Sequence, residues 1–234
     1  VIYVSLGNES AAMDCYLEVL ECSKRHGITS VLALAYNNIG SRYQELRQHQ
    51  KAIGYFERSA DELEKVTDTE NENFQIRYLI THMNLMKSYG ELDRLDDARK
   101  ELLKLEKCSQ GIVNEMYRYS YLTLKSRLYW NIGEKEYVYE HLDELIKGGI
   151  DDSNAADYIE DVSDLCGLLK DMQEFDKWKR VILAFEQHAK KQNSIYYEMI
   201  LNEMWLDYYK EQLAVCKALH SLCRCGSAAE KSRQ

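Results

Sequence analysis

Residues 35–63 decide the fold class of this chain, and they read AYNNIGSRYQELRQHQKAIGYFERSADEL. The first half places aromatic, apolar and small side chains on one helical face: Tyr36, Ile39, Gly40 and Tyr43. A polar turn follows, and the second half carries another stripe: Ala52, Phe56 and Ala60. Because steps of three and four residues return to one face of an α-helix, the stretch predicts two antiparallel helices. The small Gly40 and Ala52 would let these helices approach closely.

The same skeleton recurs along the chain. In the unit quoted above, Tyr43 is followed nine residues later by Ala52 and four residues after that by Phe56. The further copies, with varying fidelity, are Tyr3, Ala12 and Tyr16; Tyr89, Ala98 and Leu102; Tyr129, Val138 and Leu142; Leu169, Trp178 and Ile182; and Tyr209, Ala218 and Leu222. A recurrence at a fixed period is the mark of a repeat architecture.

This pattern resembles the tetratricopeptide repeat (TPR), in which an aromatic residue, Leu-Gly and Tyr precede Ala, Phe and Ala. The resemblance implies an all-α fold, namely a right-handed α-α superhelix (a TPR-like solenoid) of about five to six helix-turn-helix repeats. The residues that carry the repeat signature are Tyr36, Gly40, Tyr43, Ala52, Phe56, Tyr89 and Ala98.

The repeat domain is predicted to span residues 1–212, with an exit helix and a disordered tail over 213–234. Its first repeat is truncated, because Val1 precedes Tyr3 by two residues, and we expect the chain to be a fragment of something longer. Two departures leave the superhelical curvature open. Successive copies lie 40 to 46 residues apart, compared with about 34 in the family, and the chain has no proline.

Composition and charge disfavour several classes of partner. The net charge is −9, with basic residues interleaved among acidic ones, which disfavours nucleic acid. No window approaches the roughly 18 uninterrupted apolar residues of a membrane span, so we expect no membrane partner. Seven scattered cysteines without a secretory signal indicate a reducing, cytoplasmic compartment.

Motifs for catalysis, cofactors and metals are missing. The sequence contains no GxSxG, P-loop, GxGxxG or HExxH pattern, so we predict no catalytic residues, no enzymatic activity and no cofactor. A closed zinc site joins two ligand pairs through a defined loop, and no second pair exists, so we predict no metal site. The cluster that comes nearest to one is Cys216, His220, Cys223 and Cys225.

The resemblance also implies a ligand-binding face. In the family, the first helix of each repeat lines a concave groove, and this register places the side chains of Asn37 or Asn38, and of Asn84, in it. Asparagine can hydrogen-bond both the donor and the acceptor of a peptide backbone. Lys87 and Arg127 would lie one turn further along and could bind a carboxylate. The alternative is that all five are ordinary exposed polar residues.

The predicted function is therefore binding of a protein or peptide. The long, tyrosine-rich repeats resemble those that precede a GGDEF diguanylate cyclase domain in bacterial signalling proteins, and this resemblance implies a regulatory segment. Two alternatives remain: the peptide-binding segment of a TPR-containing transcriptional regulator, and a stand-alone TPR adaptor. Self-association into a homodimer is also open.

Overall fold

A computed structural model describes residues 9–67, 69, 71–108, 115–151, 158–192 and 194–231. These residues form helices and no strand, so the prediction of an all-α chain is confirmed. In chain order the helices are α1 (Glu9–His26), α2 (Thr29–Glu45), α3 (His49–Leu63), α4 (Glu72–Glu91), α5 (Leu95–Cys108), α6 (Glu115–Asn131), α7 (Lys135–Ile150), α8 (Tyr158–Asp171), α9 (Phe175–Gln192) and α10 (Ile195–Lys231).

The chain divides into two compact units, Val1–Lys135 and Glu136–Gln234. In the first unit, each helix from α1 to α6 packs against the next, and α4 also contacts α2 and α6. In the second unit, α9 packs against α8 and α10, which also contact each other. The boundary between the units falls inside the residue range 1–212 predicted for the repeat domain.

Four of the turns between helices lie at the repeat skeleton and share one geometry. Each contains a residue with left-handed backbone: Arg47 (φ 57°), Asp93 (φ 56°), Gly133 (φ 87°) and Gln173 (φ 58°). The next amide then donates to a carbonyl five residues back: Gln48 to Tyr43 (2.8 Å), Arg94 to Tyr89 (2.9 Å), Glu134 to Tyr129 (2.9 Å) and Glu174 to Leu169 (2.9 Å). This Schellman-type bond uses a carbonyl that the end of the helix leaves unpaired. All four accepting residues are the first positions of the repeat skeleton, and the same geometry also occurs once outside the skeleton, where Gly27 (φ 65°) precedes the amide of Ile28 that donates to Ser23 (3.1 Å).

The hairpin of α2 and α3 contains a close helix approach. A Cβ atom added at Gly40 would lie 2.6 Å from Cε1 of Phe56, which is fully buried. Ala52 is buried on the same helix as Phe56, and both belong to one apolar cluster with Tyr89 and Ala98. The short side chains therefore set the distance between these helices.

The C-terminal helix differs from the sequence expectation in two ways. The repeat register places Tyr209 in the core, but it is 59% exposed, and its neighbour Tyr208 is buried against Trp178 instead. The backbone of α10 is helical as far as Lys231, where a disordered tail was expected. The segment Ala228–Lys231 consists of good helix formers, which accounts for this continuation. Tyr3, the side chain of Ala12 and the side chains of Ala218 and Leu222 lie outside the described residues.

Candidate functional site

Polar side chains join α2 to α4 and form what we call the polar seam: Asn37, Gln44, Thr81, Asn84 and Ser88. Asn84 Nδ2 donates to Asn37 Oδ1 at 3.3 Å, and Thr81 Oγ1 donates to the same oxygen at 3.4 Å. Both donors come from α4, whereas the acceptor comes from α2. The seam therefore connects the first helices of two successive hairpins.

Gln44 extends the polar seam by two turns of α2. Its Nε2 donates to the backbone carbonyl of Asn84 at 3.2 Å and to Ser88 Oγ at 2.7 Å. Below the seam, Ser59 of α3 donates to the carbonyl of Ala33 at 2.8 Å, and its hydroxyl lies 3.2 Å from that of Thr81. The fully buried hydroxyls are thus paired, while Asn37 and Asn84 stay half-buried at the surface.

Two cavities continue from the polar seam toward the start of α4. The smaller has a volume of about 40 Å³ and is lined by Ala33, Leu34, Asn37, Ser59, Arg77, Ile80 and Thr81. The larger has a volume of about 320 Å³ and is lined by Ser30, Leu63, Val66, Asn71, Asn73, Phe74 and Arg77. Arg77 lines both cavities and so lies at their junction.

Arg77 is held in place from the opposite helix. Its Nη1 donates to the carbonyl of Ser30 at 2.9 Å, which uses one of the five N–H donors of the guanidinium. The larger cavity beside it is apolar on one side, through Leu63, Val66 and Phe74. This combination of a fixed cation and an apolar wall suits an acidic group attached to an apolar side chain.

Asn71 determines where α4 begins. Its side-chain oxygen accepts from the amides of Asn73 (3.0 Å) and Phe74 (3.4 Å), as an N-cap residue does. With the helix start set here, residues 77, 81, 84 and 88 follow at steps of three and four and share one face of α4. The cap thus fixes the start of α4, and packing against α2 decides which face the polar row occupies.

The structure treats the five predicted groove residues differently. Asn37 and Asn84 bond to each other, whereas no described hydrogen bond includes the side chain of Asn38. Lys87 and Arg127 are half-buried, and each interacts with other residues of the protein. Both cations lie outside the two cavities that Arg77 lines.

Sequence reasoning missed Arg77 and Gln44. The signal was present in the spacing, because Arg77 precedes Asn84 by seven residues and Gln44 follows Asn37 by seven. Two helical turns return a residue to nearly the same face. A search two turns before Asn84 and two turns after Asn37 would therefore have identified both side chains.

A buried contact between a histidine and a glutamate links α4 to α5. Nδ1 of His82 lies 2.5 Å from Oε2 of Glu101, and Lys104 Nζ donates to Oε1 of Glu101 at 3.0 Å. Burial raises the pKa of Glu101, but the hydrogen bond and charge of His82, followed by those of Lys104, outweigh it, so the pKa lies below its usual value. His82 and Glu101 are both almost inaccessible to solvent, and their contact joins two helices that pack against each other.

The described cysteines and potential metal ligands were also candidates for chemistry on a ligand. Burial raises the pKa of the Cys166 thiol to about 12, which keeps it protonated and unreactive. No group of three potential ligands among His, Cys, Asp and Glu comes together in the residues described above. Of the C-terminal cluster, Cys216 is exposed, and the side chains of His220, Cys223 and Cys225 lie outside the described residues.

Within the described ranges, no helix combines the length and the apolar composition needed to cross a membrane. Comparison with models of known protein families and with curated proteins finds no match for this chain.

Proposed function

We propose that the chain is a TPR-like scaffold, a right-handed superhelix that binds an extended protein or peptide segment along the face formed by α2 and α4. The repeated turn geometry and the contacts of α4 with α2 and α6 support the repeat arrangement. The proposal rests on one observation above all: Arg77 lies at the junction of two cavities that continue into the polar seam.

The chemistry of this face suits a peptide. Half-buried Asn37 and Asn84 can exchange their mutual hydrogen bond for bonds to a peptide backbone at little net cost. Arg77 can hold a carboxylate with its remaining N–H donors, and the larger cavity can take the apolar side chain next to it. A peptide that ends in an apolar residue with a free C-terminal carboxylate is a ligand class that satisfies all three features.

Binding of synthetic octapeptides tests this proposal. Peptides ending in an apolar residue with a free carboxylate are compared with the same peptides carrying a C-terminal amide, by fluorescence anisotropy. We expect Arg77→Gln to weaken binding of the free-carboxylate peptides by about tenfold or more, because a charge-assisted hydrogen bond is lost. Arg99→Gln, an exposed arginine of α5, is the matched control and should leave binding unchanged. Equal binding of both peptide forms, or an Arg77 variant with full affinity, would contradict the proposal.

The resemblance to repeats that precede GGDEF domains extends the proposal to a role in signalling. The scaffold would then be the regulatory segment of a larger bacterial protein and would not itself convert GTP to cyclic di-GMP. The intact mass of the native protein in its source cells distinguishes this role from the alternatives. A mass well above 27.4 kDa supports a regulatory segment, either of a cyclase or of a transcriptional regulator, whereas a mass near this value indicates a stand-alone adaptor.

A further inference from the structure

The last helix is much longer than the helices it packs against. Helix α10 has 37 residues, whereas α8 has 14 and α9 has 18. At 1.5 Å per residue, α10 is about 55 Å long, compared with about 21 Å and 27 Å for the other two. Helices α8 and α9 therefore cannot cover the whole length of α10.

One face of α10 packs within its own unit. Met204 and Tyr208 are buried, and the ring of Tyr208 meets Trp178 of α9 edge-on at 5.3 Å between centroids. Further along the helix, Glu211 forms an ion pair with Lys170 of α8 at 3.0 Å. These contacts account for the inner face of α10.

The opposite face carries a second row of apolar side chains, which we call the outer stripe. Its large hydrophobic members are each more than half exposed, with exposed fractions of 77%, 57%, 53%, 59% and 56% for Ile195, Met199, Leu206, Tyr209 and Leu213. The positions alternate in steps of four and three residues when Asn202 and Cys216 are included: Ile195, Met199, Asn202, Leu206, Tyr209, Leu213 and Cys216. The average step is 3.5 residues over three heptads.

This spacing identifies the kind of surface that would cover the outer stripe. A period of 3.5 residues keeps one seam in contact with another helix when the two supercoil, whereas a sheet or an irregular loop has no matching period. Apolar heptads sustained over about three repeats and flanked by charges are typical of coiled coils. The flanks carry exposed charges of both signs, with Glu198 and Glu203 acidic and Lys210 basic, and in an antiparallel pair Glu203 of one copy would lie beside Lys210 of the other.

We propose that the outer stripe of α10 is a self-association surface, and that its occupant is α10 of a second copy of this chain. A helix with this seam is its own complement, because a two-fold axis brings the same surface of both copies together. Asn202, the one polar member, limits the strength of the pair, as a buried amide does in other helical seams. The surface lies on α10 and is independent of the peptide-binding face of α2 and α4.

Sedimentation of the full chain at concentrations from low micromolar to roughly 100 µM tests this inference. We expect a concentration-dependent shift from 27.4 kDa toward twice that mass. Leu206→Glu should raise the dimer dissociation constant by at least about 100-fold, because each dimer would bury two carboxylates in its seam. Leu206 is exposed in the single chain, so the helical circular dichroism of the variant should match that of the original chain.

Two further variants make the test specific. Leu183→Glu replaces an exposed leucine of α9, 42% accessible and outside the stripe, and should leave the dissociation constant unchanged. Asn202→Leu removes the polar member of the stripe and should tighten the dimer by about tenfold or more. A monomer at every concentration overturns the proposal. A dimer that persists in Leu206→Glu, or that weakens equally in Leu183→Glu, also overturns it.

Discussion

One contact in each unit joins neighbouring helices with a different kind of side chain. In the first unit, α2 and α4 meet through the amides of Asn37, Gln44 and Asn84. In the second, α9 and α10 meet through aromatic rings, with Trp178 and Tyr208 arranged edge-on. Both contacts connect helices of neighbouring hairpins, yet one is polar and half-exposed while the other is apolar and buried.

The two contacts differ in how much they stabilise the fold and in whether a ligand can replace them. A hydrogen bond between half-exposed amides contributes about 1 kcal/mol net, because water offers each group a similar partner. The same property lets a ligand replace it. A buried aromatic pair contributes about 0.5–1.5 kcal/mol beyond its apolar area, and nothing polar remains there for a ligand to bind. Of these two contacts, the one in the first unit is therefore suited to recognition and the one in the second to cohesion.

Removal of the aromatic contact should have the largest effect on stability. Trp178→Ala is expected to lower the free energy of unfolding of the second unit by about 3–5 kcal/mol, because it leaves a cavity in a fully buried site. Hydrogen exchange followed by mass spectrometry measures each unit separately, and protection should fall in α8–α10. Leu183→Ala, at an exposed position of α9, is the control and should change stability by less than about 0.5 kcal/mol. Unchanged protection in Trp178→Ala would mean that the aromatic contact does not stabilise the second unit, and the proposed contrast with the polar contact would fail.

The buried contact of Glu101 with His82 tests whether polar groups also stabilise the first unit. Glu101→Gln should lower the free energy of unfolding by about 1–3 kcal/mol at neutral pH, because His82 and Lys104 lose a charged partner. The folded-state pKa of Glu101 is depressed, so its contribution is present above the unfolded value of about 4.3 and is lost as the pH falls through the folded value.

Urea unfolding of both proteins between neutral and strongly acidic pH measures this dependence. The difference in stability between the original chain and Glu101→Gln should shrink below about pH 4.3. Glu134→Gln, which removes an exposed pair with Arg99, is the control and should have little effect at any pH. A difference that stays constant with pH would mean that the charge of Glu101 does not stabilise the contact of α4 with α5.

Two glycines test whether close helix packing beside the polar seam stabilises the first unit. Gly40→Ala should destabilise by about 1–3 kcal/mol, because the new methyl group would meet the fully buried ring of Phe56 at 2.6 Å. Gly54→Ala, in the interior of α3 with no atom within 4 Å of the new Cβ, should stabilise by about 0.5–1 kcal/mol. Thermal unfolding of both variants measures the pair. Similar shifts of the same sign would show that helix propensity, rather than packing, dominates at Gly40.

The smallest effect is expected within the polar seam itself. Asn84→Ala should cost about 0.5–1.5 kcal/mol, because its bond to Asn37 disappears, while Asn38→Ala should have almost no effect on stability. Chemical denaturation measures both, and the octapeptides described above measure binding. If Asn84→Ala lowers the binding free energy by more than it lowers the free energy of unfolding, the result would support the view that Asn84 gives up its bond to Asn37 to bond the peptide. Full affinity in both variants would mean that the peptide binds outside the polar seam.

Several features of the fold were predictable because they depend on residues close together in the chain. Helix type follows from apolar steps of three and four residues, and the turns follow from positions that recur at 40 to 46 residues. The close approach of Gly40 to Phe56 was also readable, since both lie in one hairpin of 29 residues (35–63). By contrast, the burial of Tyr208 in place of Tyr209 was not, because a one-residue change in register depends on how α10 meets Trp178.

The sequence by itself determined the all-α class and the helical hairpins, because periodicity and turn chemistry act within a few residues, and it offered Asn37, Asn38 and Asn84 as candidate polar groups. The tertiary structure decided which of these polar groups meet. Asn37 and Asn84 are 47 residues apart, and Arg77 reaches Ser30 across the same two helices. The packing of α2 against α4 also created the cavities beside Arg77 and the seam below them. Such contacts depend on the angle and distance between helices, which no local pattern of residues specifies.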